Sequence, residues 1–228
     1  MILTYRLMRK DYIISISLGQ AHERTALALL EVEPSDDVSE IVCSVRHLTR
    51  YAPGSGFPDI IADTIKVAEE AKEQLSLTDG AALILEATSV GKPVVDLFKR
   101  EESTGSLQVS DFEAMLVSAG DTESREYEQG VVYWRVPKRN LASVVQVLLQ
   151  TSRLKIAPAL PEKPALVSEL SNFKVKINLA APVDVLDPWR EGAQDDLVFC
   201  VAAGCWRALK PRPQIQMPAC SVSYYDFG

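Results

Sequence analysis

The chain has 228 residues, 47% of them apolar and 24% charged, and a formal net charge of -7. That much apolar chain supports one domain with a real core, while the acidity excludes a whole-chain electrostatic grip on nucleic acid, so any such contact has to be local. The apolar runs fall short of the ~20 residues of a membrane helix, the charged start MILTYRLMRKDY is unlike a signal peptide, and Cys43, Cys200, Cys205 and Cys220 include no CxxC pair, which favours reduced thiols over a zinc site.

In chain order, Ile13 to Leu18 has the β-branched richness of a buried strand. A Gly19-Gln20 turn follows, and Thr25 to Val32 returns as the second strand of a hairpin. Glu40 to Thr49 alternates, with Ile41, Cys43 and Val45 on one side and Val42, Ser44 and Arg46 on the other, and predicts a third strand. YAPGSGFPD is a loop by its Pro and Gly content. Beyond Pro58 the spacing turns helical, with Ile60, Ile61, Ile65, Ala68 and Leu75 near one face.

AALILEATSVG predicts a short strand that is apolar on both faces, hence central and covered. KPVVDLFKR is the next helix. DFEAMLVSAGDTESREYEQGVVYWRV reads as strand, polar loop, strand. Pro137 opens a helix over NLASVVQVLLQTSRL. A short strand LKIA, a helix PEKPALVSELSNF and a strand FKVKIN come next, and DDLVFCVAAGCWRAL is an apolar helix opened by two Asp. The last residues carry three prolines without a period and predict an extended or disordered tail over 211–228, leaving 11–210 as the folded domain. Three meandering strands followed by alternating helices and strands predict an α/β fold, a mixed sheet with helices on both faces.

Polar or acidic groups stand at three element ends: Ser17 in the first strand, Glu86 at the end of ALILE, and Asp195 with Asp196 at the start of the last helix. If the first and fourth strands are parallel neighbours, these ends converge. Converging carboxylates are what a two-metal phosphodiester-cleaving site requires, because two dications ~4 Å apart have to be neutralised. Each residue also has an ordinary structural reading. Glu86 could be a paired strand-end carboxylate, Asp195 a helix cap, Asp196 a favourable charge at a helix N-terminus, and Ser17 a small core residue. His22 and His47 read as surface or hydrogen-bonded side chains, and Trp134, Trp189 and Trp206 as core or rim aromatics.

Four stretches, YIISISLGQAHERTALALLE, ILEATSVGKPVVDLFKR, VPKRNLASVVQVLLQTSRLKIA and WREGAQDDLVFCVAAGCW, together resemble the nuclease domain of phage terminase large subunits. They occur in that family's order and cover most of residues 11 to 209. The resemblance implies a ribonuclease-H-like mixed sheet. It also implies Mg²⁺ or Mn²⁺ as cofactor, double-stranded DNA as the partner and substrate of packaging, and a cytoplasmic setting in a bacterial host or from a prophage. Membrane association is not expected. Carried over residue by residue, the family's acids fall on Ser17, Glu86, Asp195 and Asp196, with Glu86, Asp195 and Asp196 as metal ligands.

The chain departs from the family pattern at two places. Ser17 stands where the pattern has an Asp, and a neutral hydroxyl is a poor ligand for a hard dication. Asp11, about 20 Å back along the strand, does not substitute. The sequence also contains no GxxxxGK[ST], so the motor that accompanies such nucleases would be a separate packaging ATPase, and a portal protein is a further candidate partner. The expectation is a divalent-metal-dependent endodeoxyribonuclease weakened or inactivated at Ser17, with a gain of cleavage on Ser17→Asp. The alternative is a non-catalytic relative that binds DNA or a packaging partner. A DLG-type turn also opens ATP-binding proteins of the actin-like superfamily, but neither their second phosphate loop nor their adenosine motif is found. Residues 131–176 hold eight basic side chains against Glu162 and Glu169, and Lys138 with Arg139, in the turn before a helix, are the candidate phosphate contacts.

Overall fold

The structure is a computed structural model that describes residues 10–35, 40–74, 80–179 and 195–210. Among the described residues, eight strands form one sheet: β1 (Asp11–Ser17), β2 (Thr25–Pro34), β3 (Ile41–Tyr51), β4 (Ala82–Glu86), β5 (Asp111–Ser118), β6 (Ser124–Glu128), β7 (Val131–Pro137) and β8 (Leu154–Ile156), in the order β6-β7-β5-β4-β1-β2-β3-β8. The helices that cover it within the described residues are α1 (Phe57–Gln74), α2 (Lys92–Ser103), α3 (Lys138–Gln150), α4 (Lys163–Leu179) and α5 (Asp196–Ala208). The expected meander is present, since β1 pairs antiparallel with β2 and β2 with β3. The chain then crosses over through α1 and α2 to place β4 parallel to β1 and β5 parallel to β4, with β7 parallel to β5.

The hydrophobic pattern explains the layering. Tyr12, Ile14, Ile16 and Leu18 alternate to one face, where they meet Ile60, Ala68, Val95 and Phe98 of α1 and α2. Ile13, Ala28, Leu30 and Ile84 point to the other face and pack against α3, α4 and α5. β4 has all five residues buried, as its unbroken apolar run predicts. Helix α5 is buried from Leu197 to Arg207, so it lies in the core layer directly on β1 and β2.

Two sequence expectations are corrected. The polar stretch before Val131 is no loop: Ser124–Glu128 pairs antiparallel with β7 as the edge strand β6. The turn behind it is Gln129-Gly130, both at positive φ (49° and 80°), which suits a tight hairpin better than a long excursion. FKVKIN is no strand either. Its alternation imitates one, but between Pro164 and Leu179 the chain has neither Gly nor Pro, and helix α4 runs through it. The tail 211–228, Trp189 and Cys220 lie outside the described residues. Cys43, Cys200 and Cys205 are free, buried thiols.

The approach of α5 to the sheet depends on a missing side chain. A Cβ on Gly204 would stand 2.7 Å from Cδ1 of Leu30 and 3.2 Å from Cβ of Ser15, both in the core. Gly204→Val should therefore lower unfolding stability by about 1–3 kcal/mol through overpacking. Urea denaturation measures it, and a variant as stable as the parent would show that the helix has room to retreat.

Candidate functional site

Parallel strands present their carboxyl ends at one edge, and here the ends of β1, β4, β5 and β7 share that edge. Ser17 is paired with Glu86 across β1 and β4, with Ala26 across β1 and β2, and Ala26 is paired with Arg50 across β2 and β3. Directly opposed residues project to the same face, so Glu86, Ser17, Ala26 and Arg50 form one row. Ala26 belongs to the core that contains α5, which fixes the face.

Helix α5 brings the last two acids to this row. The Ser15 hydroxyl donates to the Cys200 carbonyl at 2.7 Å, and the Cys200 thiol donates to the Ser15 carbonyl at 3.0 Å. Burial pushes that thiol far above its ordinary pKa, so it is a neutral packing group. Asp196 lies four residues before Cys200, about 6 Å along the helix, over the end of the row.

The side chains then divide into two sets. In the first, the Ser17 hydroxyl donates to Oε2 of Glu86 at 3.0 Å, and the Thr88 amide donates to Oε1 at 3.0 Å. Both carboxylate oxygens are engaged, and Glu86 has no exposed surface. In the second, Arg50 is ion-paired with Asp196 (Nε to Oδ2, 2.7 Å) and with Glu169 of α4. Glu169 in turn accepts the amides of Leu197 and Val198 through Oε2, both at 3.1 Å, and so caps α5. Asp195 sits at the N-cap position, buried, but its side chain makes no capping hydrogen bond. Burial raises the Asp196 carboxyl pKa against the pull of the Arg50 charge.

Ser17 and Glu86 are thus brought together, and Asp195 and Asp196 arrive at the same end of the fold, but Asp196 turns to Arg50. Among the described residues no three His, Cys, Asp or Glu side chains gather to hold a metal ion. The donor set of a two-metal centre requires several anionic oxygens aimed at one point. A serine hydroxyl committed to a carboxylate, and an aspartate committed to an arginine, do not fit it.

Lys138 and Arg139 open α3 at the carboxyl edge of β7, on the same side of the sheet as Ser17. Arg139 is exposed but pairs with the Asp121 carboxylate at 2.7 Å and donates to its carbonyl at 2.8 Å. The basic segment is partly neutralised elsewhere too, by Arg153 with Glu40 and Arg135 with Glu126. His22 is exposed, and His47 shares a hydrogen bond with Thr49. Trp134 and Trp206 stack edge to face, with centroids 5.2 Å apart.

The sheet order and the helix α5 buried against it make an α/β fold similar to that of terminase nuclease domains. The human cytomegalovirus terminase nuclease domain is similar over 86% of this chain and 83% of its own, at 11% identity and a TM-score of 0.51. A manganese-soaked, inhibitor-bound form of that domain is similar over 89% and 84%, at 12% identity and a TM-score of 0.50. The large terminase nuclease of thermophilic phage G20c aligns over 86% and 81%, at 16% identity and a TM-score of 0.47, and has also been seen with bound magnesium. No protein-family model matches the chain, and no curated protein does.

Proposed function

We propose that this chain is a terminase-nuclease-type domain that engages double-stranded DNA along the carboxyl edge of its sheet and is weak or inactive in metal-dependent cleavage. The observation that carries the reading is the Ser17–Glu86 hydrogen bond in the row closed by Arg50. Hydrolysis of a phosphodiester by this fold needs carboxylates free to place metal ions and a water. Here the neutral hydroxyl occupies one carboxylate oxygen of Glu86, and Asp196 is held by the Arg50 guanidinium. DNA engagement is supported by the position of Lys138 and Arg139 beside that edge, where ligands of open α/β sheets bind. The wider setting in this reading is genome packaging in a bacterial cytoplasm, with a separate packaging ATPase or portal protein as partner. Among the described residues no helix is long and apolar enough to cross a membrane.

Two assays on the same preparation test the proposal. Fluorescence anisotropy with a labelled duplex should show salt-dependent binding. Lys138→Ala combined with Arg139→Ala should reduce the salt slope by about one per lost phosphate contact. Nicking of supercoiled plasmid over a Mg²⁺ and Mn²⁺ series should stay at background. Strong nicking that disappears in Glu86→Gln would contradict the loss of activity. Absence of duplex binding at any salt by a folded chain would shift the reading to a packaging-partner surface.

A further inference from the structure

Arg50 was not expected at the site, yet it is the charge around which this end of the fold is organised. Its side chain is 9% exposed, and those of Glu169 and Asp196 are 8% and 11% exposed. The two carboxylates come from different helices, and one of them caps the helix that carries the other. A helix N-terminus favours nearby anions, and a cation between two buried carboxylates lets both stay ionised. Arginine suits the position because it is always charged and its planar fork engages two carboxylates at once. Arg24 adds a more distant positive charge toward Asp196.

We propose that Arg50 is the built-in cation of this strand edge: its guanidinium supplies the counter-charge that a divalent ion would otherwise supply, so the domain is structurally complete without metal. The inference rests on reading the edge as a nuclease-type carboxylate arrangement that has lost its metal centre. The guanidinium takes the place of the metal, and the replacement is reversible. Removing the guanidinium while keeping Glu169 and Asp196 leaves buried anions that a soft-fitting dication can satisfy, and manganese tolerates imperfect coordination better than magnesium.

The test is thermal unfolding of the full chain, of Arg50→Met, and of the neutral combination Arg50→Met, Glu169→Gln and Asp196→Asn. Each is measured in EDTA, in millimolar magnesium and in millimolar manganese. The unmodified chain should unfold at one temperature in all three. Arg50→Met should unfold lower in EDTA and regain several degrees in manganese, with less recovery in magnesium. The neutral combination should ignore the metals. If Arg50→Met is insoluble in EDTA, recovery of soluble, folded protein on refolding in manganese supports the proposal, and failure to recover there overturns it. A manganese-dependent rise in the unmodified chain, or the same response in the neutral combination, also overturns it. Loss of DNA binding in the assays above would leave these outcomes unchanged, so the two readings fail separately.

Discussion

Ser17→Asp is expected to cost the metal-free domain on the order of 3 kcal/mol and to make its stability depend on divalent cations. Ser17 is buried and its hydroxyl lies 3.0 Å from Oε2 of Glu86. A carboxylate placed there faces a second one at contact distance, inside the protein. Two such charges in one site do not both ionise at the usual cost, so one takes up a proton or both share a cation. The introduced carboxyl then titrates above the ordinary Asp range. A raised folded-state pKa gives stability that is present at low pH and lost as pH rises through it, so the deficit should be full at neutral pH and shrink toward acid.

Urea unfolding at neutral and mildly acidic pH, with and without manganese, reads both effects. A neutral-pH deficit that manganese does not relieve would show that the pair is not a latent metal position. Plasmid nicking should rise in Ser17→Asp with manganese. It should rise further when Arg50→Met is added, because Arg50 otherwise keeps Asp196 turned away.

Arg207→Met, away from the strand edge, should cost about 3–5 kcal/mol. Arg207 is in the last turn of α5, and its Nε lies 2.7 Å from Oε2 of Glu113, both nearly without exposed surface. The Trp134 indole donates to the same oxygen at 3.0 Å. Burial raises the Glu113 carboxyl pKa, opposed by the Arg207 charge and the two hydrogen bonds. Without Arg207 the carboxylate is left uncompensated in the core.

Replacing both partners by apolar groups removes the penalty instead of exposing it, so Arg207→Met with Glu113→Leu should recover most of the loss. Chemical denaturation of the single and double variants forms the cycle. A double variant as unstable as Arg207→Met alone would mean that shape, not charge, sets the cost. The pair matters to the site because it fixes the far end of the helix whose near end carries Asp195 and Asp196.

The hairpin, the covered central strand and the buried last helix were legible in the sequence because each has an apolar pattern of the right period and length. The pairing of Ser17 with Glu86 was legible too, since both end apolar runs and parallel strands align their ends. Arg50 was not. Reading the alternation of β3 forward from Cys43 and Val45 places residue 47 inward and residue 50 outward. A register shift beside Leu29 and Leu30 inserts an extra residue at Arg46, so the inward set is Cys43, Val45, Leu48 and then Arg50. A bulge reverses the facing of everything beyond it, and no Gly or Pro marks this one.

In the sequence Glu169 stands out only as one of two acids in a basic segment. Its role as the cap of α5 depends on a contact 28 residues away in sequence, which local pattern does not carry. SREYE and FKVKIN show the opposite error. The first was polar enough to pass for loop although an edge strand needs only one paired side. The second alternated like a strand although α4 simply continued.

In this reading the Glu86 and Asp196 carboxylates are held by Ser17, Thr88 and Arg50 and not by a metal ion. Titration of Mn²⁺ into the unmodified chain, with free manganese followed by electron paramagnetic resonance, tests it most directly. Free manganese should track total manganese throughout the micromolar range. One or two ions bound per chain in that range, and released by Glu86→Gln, would contradict it.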